Sequence, residues 1–97
     1  MAVTIVDSTL VTEALQLVNF HRQSDYGDIA VNMGDIADGW TTLLKTGVAD
    51  RDAALAMVWL KLVRHRNTYK RDNIVDAIAY LLIADAVDDR KPQADRA

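Results

Sequence analysis

The sequence predicts an all-α fold: one four-helix domain built on a central apolar antiparallel helix hairpin. Two observations carry this. Apolar residues recur three and four apart over most of the chain, the period of one helix face, and the alternation of a half-buried strand is confined to an extended Val3-Thr4-Ile5-Val6. Breakers are sparse: the one proline is Pro92, and the four glycines are Gly27, Gly34, Gly39 and Gly47. With 97 residues, 51% of them hydrophobic, the chain makes a single globular domain with its own core.

The elements follow in order. A first helix spans about 8–23, with Ser8 or Thr9 as its cap and Leu10, Ala14, Leu17, Val18 and Phe20 or His21 as its stripe. Ser24-Asp25-Tyr26-Gly27 reads as a turn. A second helix spans about 28–46, with Ile29, Met33, Ile36, Ala37, Trp40, Leu43 and Leu44 on one face. Gly34 and Gly39 lie inside it, costing roughly 1 kcal/mol each against alanine, and Gly47 is placed to close it. Asp50 is expected to cap a third helix over about 51–67, and Asp72 a fourth over about 73–88. The domain therefore covers 1–89, and a polar, flexible tail covers 90–97.

The last two helices differ from the first two. Ala53 to Leu60 has no polar face, and neither does Ala77 to Ala84. A helix that is apolar all round must be covered all round. Four short helices can enclose one such member but hardly two, so a homo-oligomer is expected.

Charge and composition exclude several functions. Thirteen aspartates and one glutamate outweigh eleven Lys plus Arg, leaving a formal charge of -3, so a nucleic-acid partner is not expected. The absence of cysteine removes disulfides, thiolate metal sites and thiol nucleophiles, and two histidines cannot make a histidine-rich centre. No run of about 18 apolar residues is present, so no membrane partner is expected and the cytoplasm is the expected location.

Two charged clusters could carry chemistry. Lys61, Arg64, Arg66, Lys70 and Arg71 place five cations within eleven positions, with His65 and Tyr69 among them. Arginine offers phosphate bidentate contacts and lysine a mobile point charge, although cations at a helix C-terminus also suit its dipole. Asp72 and Asp76 stand one helical turn apart, the oxygen pair that Mg²⁺ accepts alongside retained water, but acids at a helix N-terminus need no ligand. If the last two helices turn back near Tyr69, Lys61, Arg64, Asp72 and Asp76 converge. An ion-pair network stitching the hairpin and a phosphate-plus-metal site both fit that convergence.

Arg22-x-x-x-Tyr26-Gly27, Lys61-x-x-Arg64 and Asp72-Asn73-x-x-Asp76-x-x-x-Tyr80, taken as an ordered set, resemble a small phage-encoded helical domain family of unknown function. That family looks like a relative of the MazG-like all-α nucleoside triphosphate pyrophosphohydrolases. The resemblance covers about positions 20–86. It implies a four-helix fold, dimers or tetramers, nucleotide as ligand, and Mg²⁺ held by two acidic pairs on neighbouring helices. Asp72 and Asp76 occupy the place of the second pair, spaced four apart where the family has three. The first pair has no counterpart: Glu13 is the one glutamate, and the third helix offers Met57, Lys61 and Arg64. The expectation is a nucleotide- or phosphate-binding protein of an infected cell's cytoplasm, with little or no pyrophosphohydrolase activity. Lys61 and Arg64 would hold phosphate, Asp72 and Asp76 would hold Mg²⁺, and Arg22, Tyr26 and Tyr80 would line the site. The alternative is a non-catalytic accessory protein that binds a host or phage protein through its apolar helices.

Overall fold

The computed structural model describes residues 2–92, so the expected tail lies outside the described residues from position 93 onward. Among the described residues there are four helices and no strands. Helix α1 runs over 9–26, as α-helix at Thr9–Gln16, π-helix at Leu17–Arg22 and α-helix again at Gln23–Tyr26. Helices α2, α3 and α4 are Ile29–Leu44, Asp50–Asn67 and Arg71–Ala86.

Several boundaries and caps differ from the sequence expectation. Ser8 makes no side-chain cap; Asp7 accepts from the Thr9 N–H at 3.0 Å instead. Those bonds from the Thr9 hydroxyl and N–H, with Arg71 adding to them, hold the Asp7 carboxyl below its ordinary value. Ser24 to Tyr26 stays helical, and only Gly27, at φ 77°, turns the chain. The α1 stripe ends at Val18. A π turn holds more residues than an α turn, so the inward direction passes from Val18 to Arg22, and Phe20 and His21 swing out to solvent.

Asp28 caps α2, accepting from the N–H groups of Ala30 and Val31 at 3.1 and 3.2 Å. Met33 and Ala37 are buried, with Ile29, Ile36 and Trp40 packed beside them. Leu43 and Leu44 are exposed, because α2 ends there. Lys45, not Gly47, takes the left-handed conformation at that end (φ 56°), and the Thr41 hydroxyl accepts from the Val48 N–H at 2.9 Å.

Helices α3 and α4 start earlier than their aspartates suggested. Asp50 is the first helical residue of α3, after an Ala49 without side-chain cap. Asp72 likewise sits inside the first turn of α4, whose cap position is Lys70. Both acids meet the positive end of a helix dipole without closing a cap bond.

The hairpin of α3 on α4 is the main packing contact, with α1 against α4 and α2 against α3. Alanines at 14, 37, 53, 54, 79 and 84 let the backbones approach, and Met33, Val75, Tyr80 and Ile83 fill the space between them. The more enclosed helix is α4, which buries Val75, Ala77, Ala79, Tyr80, Ile83 and Ala84 and leaves Leu81 and Leu82 exposed. Helix α3 is covered on one side only; Leu55, Trp59, Leu62 and Val63 are exposed.

Candidate functional site

The hairpin register sets the site. Positions equidistant from the 68–70 turn meet, and Lys61 Nζ lies 2.9 Å from Asp76 Oδ2. Both side chains are largely withdrawn from solvent, at 16% and 23% exposure. Around the pair opens a cleft of about 620 Å³ lined by Lys61, Arg64, Asn67, Thr68, Lys70, Asp72, Asn73 and Asp76. The four residues expected to converge therefore do so. Three cations face two carboxylates in this cleft, and no ion pair joins Arg64, Lys70 or Asp72 to a partner among the described residues. Asn73, the one buried polar residue of the core among the described residues, is 8% exposed and sits at the base of this cleft.

A second cleft, of about 400 Å³, shares Lys61 and Asp76 with the first and continues to Arg22, Tyr26, Asn32, Ile36 and Tyr80. The π-helical segment delivers Arg22 here. Its guanidinium stacks 4.3 Å above the Tyr80 ring, and its Nε is buried without a hydrogen-bond partner among the described residues. A buried donor left unmade costs on the order of 1–3 kcal/mol, a cost that an ordered water or a ligand oxygen in the cleft would relieve. Tyr26 sits at the rim, mostly exposed.

Three members of the basic cluster turn elsewhere, Arg66 among them, exposed and outside the cleft lining. Arg71 pairs with Glu13, with Asp7 at 3.2 Å and with the Thr9 hydroxyl at 2.7 Å, tying the N-terminal segment to α4. His65 Nδ1 lies 3.3 Å from the Lys70 N–H and its ring meets Tyr69 edge-on, which closes the C-terminal end of α3. Sequence reasoning gave Asn73 and Asn32 no role. Counting back from the turn finds Asn73, but Asn32 reaches the cleft only through the docking of α2.

Asp72 and Asp76 line one cleft and offer the oxygen donors Mg²⁺ takes, with room for water or phosphate to complete its shell. Among the described residues, no group of three or more His, Asp or Glu side chains is placed to hold a metal ion. No helix among the described residues is long and apolar enough to cross a membrane.

Comparison with known proteins fits the phage part of the resemblance. The chain is 33% identical over 95 residues to the Gene 55 protein of Mycobacterium phage L5, covering 91% of this chain and 60% of that protein. It is 30% identical over 76 residues to the Gene 55 protein of Mycobacterium phage D29, covering 77% and 50%. The chain thus spans half to three-fifths of the length of these relatives. No solved structure matches it. Nothing in these matches indicates a relationship to the MazG-like enzymes. The family model for a domain of unknown function, DUF6378, matches residues 9–88, from the first residue of α1 to just past the end of α4, and the chain belongs to that family.

Proposed function

We propose that this domain binds a nucleotide through its phosphates in the α3–α4 cleft, in the cytoplasm of an infected cell. The observation that carries the reading is the gathering of Arg64 and Lys70, neither in an ion pair among the described residues, with Lys61 and the buried Asn73 around one opening. Arg64 and Lys61 contact phosphate oxygens, and Asn73 donates an amide hydrogen bond. Mg²⁺, when bound, neutralises phosphate charge, and Asp72 and Asp76 are the residues that would hold it. The adjoining cleft suits the base: Tyr26 offers a ring face, and Asn32 and Arg22 offer polar groups at its edge. Two acids beside two or three cations leave a metal weakly held, so little or no triphosphate hydrolysis accompanies binding.

Calorimetry with a nucleotide panel, with and without Mg²⁺, tests this. Lys61→Ala and Arg64→Ala should each weaken binding by about 1.5–3 kcal/mol, the range of charge-assisted hydrogen bonds. Equal affinity in wild type and in both variants, each folded by circular dichroism, would return these cations to a purely structural role.

The second reading, a host or phage protein bound through the apolar helices, is favoured by a different observation: Trp59 is 70% exposed on the outer side of α3. A phage or host protein captured with nanomolar affinity by a monomeric chain, and released by Trp59→Ala, would support it over the nucleotide.

A further inference from the structure

The outer face of α3 has an internal symmetry. Asp52, Leu55, Trp59, Leu62 and Arg66 follow one another at spacings of three and four, so they form a single stripe. All five are exposed, and so is Val63 beside them. Trp59 stands at the middle, with Asp52 seven residues before it and Arg66 seven after. Leu55 and Val63 are each four residues from it, and Ala56 and Leu62 each three. The apolar centre thus carries an acid at one end and a base at the other. Arg66 makes no ion pair among the described residues, and Asp52 has a 3.9 Å approach from its neighbour Arg51 and a longer-range attraction to Arg90, with no closer partner holding it.

We infer that a second copy of this chain covers the face, with the two α3 helices antiparallel about a two-fold axis at Trp59. A two-fold contact places a patch on its own copy, so residue and partner swap roles across the axis. Antiparallel pairing about Trp59 brings Asp52 of each chain to the level of Arg66 in its partner, and Leu55 to Val63. The Trp59 rings meet at the centre. Both ends then close with opposite charges, whereas parallel pairing would set Asp52 on Asp52 and Arg66 on Arg66. An arbitrary protein partner has no reason to need this balance about one tryptophan. A copy of the same helix does.

The apolar area agrees. Trp59 alone, at 70% exposure, leaves on the order of 150 Å² open, and Leu55, Leu62 and Val63 extend it toward the few hundred Å² that soluble monomers seldom expose. The cleft residues Arg64 and Asp72 are not in the stripe, so the dimer and the nucleotide reading stand or fall separately.

Sedimentation equilibrium of the full chain between 1 and 100 µM tests the inference. Wild type should be dimeric, and Trp59→Glu should be monomeric with an unchanged far-ultraviolet spectrum. Asp52→Arg and Arg66→Asp should each weaken the dimer at least tenfold, and the double variant carrying both should recover most of the loss, since it restores opposite charges at both ends. A wild-type monomer at 100 µM overturns the inference. So does a dimer indifferent to the single reversals, or one that the double reversal does not recover, since either would place the contact on another surface. Because all these side chains are exposed, a variant that loses its helical spectrum would itself contradict the placement of the stripe outside the core.

Discussion

Replacing Asp76 by asparagine isolates the charge pair at the heart of the hairpin. The amide is nearly isosteric and can still accept from Lys61, so packing and one hydrogen bond persist while the negative charge goes. Breaking a fully buried pair costs about 3–5 kcal/mol, and an exposed one about 0–1. With side chains 16% and 23% exposed, this pair is close to the buried case but keeps some solvent, and a cost of about 2 kcal/mol follows. In a domain of this size each kcal/mol moves the midpoint by about 4–8 °C, so Asp76→Asn should melt about 8–16 °C below wild type. Thermal and urea denaturation followed by circular dichroism, at one fixed protein concentration, reads the loss. The double variant Lys61→Met with Asp76→Leu removes both charges and should recover at least half of it, because much of the single-variant cost is a stranded lysine. A midpoint for Asp76→Asn within about 2 °C of wild type, or a double variant no better than the single, would refute the reasoning. Any nucleotide turnover should fall less than stability does in this variant. Pyrophosphate release near one per second, on the order of ordinary enzyme rates, and abolished in an Asp76→Asn protein that melts like wild type, would restore a catalytic role.

Two further outcomes are expected. Asp28→Ala removes the acceptor for the Ala30 and Val31 N–H groups and should lower stability by about 1 kcal/mol in urea titrations, with Asp28→Ser costing less; equal stability would show the cap to be redundant. Arg90, through side-chain and backbone hydrogen bonds, with Arg51 adding to it, holds the Asp88 carboxyl far below its ordinary value. A carboxyl depressed on folding stabilises above its unfolded pKa and loses that contribution as pH falls toward its folded value. The melting difference between wild type and Asp88→Asn should therefore be constant near pH 6 and shrink below about pH 4, and a difference that instead grows on acidification would reverse the assignment.

The helical class and the hairpin were legible in the sequence because periodicity and equidistance from a turn are local arithmetic. The Lys61–Asp76 contact is the clearest case: it needs only a turn near 69 and two antiparallel helices. An aspartate next to a helix start does not mark the cap, since Asp50 and Asp72 suit a first turn as well. Residue type cannot separate these two positions. Arg71 stands among the cleft cations in sequence but not in space, because its partners, Glu13, Asp7 and Thr9, are some sixty positions away along the chain. The apolar faces of α3 and α4 read alike; which of them the fold encloses depends on α1 docking against α4, and no pattern within either helix encodes that.

The π-helical stretch of α1 has a consequence for how this domain tolerates change in length. Six residues at the roughly 80° step of a π-helix turn through about the same angle as five at the 100° step of an α-helix. One residue removed from Leu17–Arg22 would therefore let the stretch close as ordinary α-helix, with the segments on either side still in phase. The Ala14 side would keep its seat on α4, and Tyr26 its place at the rim of the second cleft. The same deletion made in Thr9–Gln16, where there is no extra residue to give up, would turn everything after it by about 100° and pull Arg22 off the Tyr80 ring.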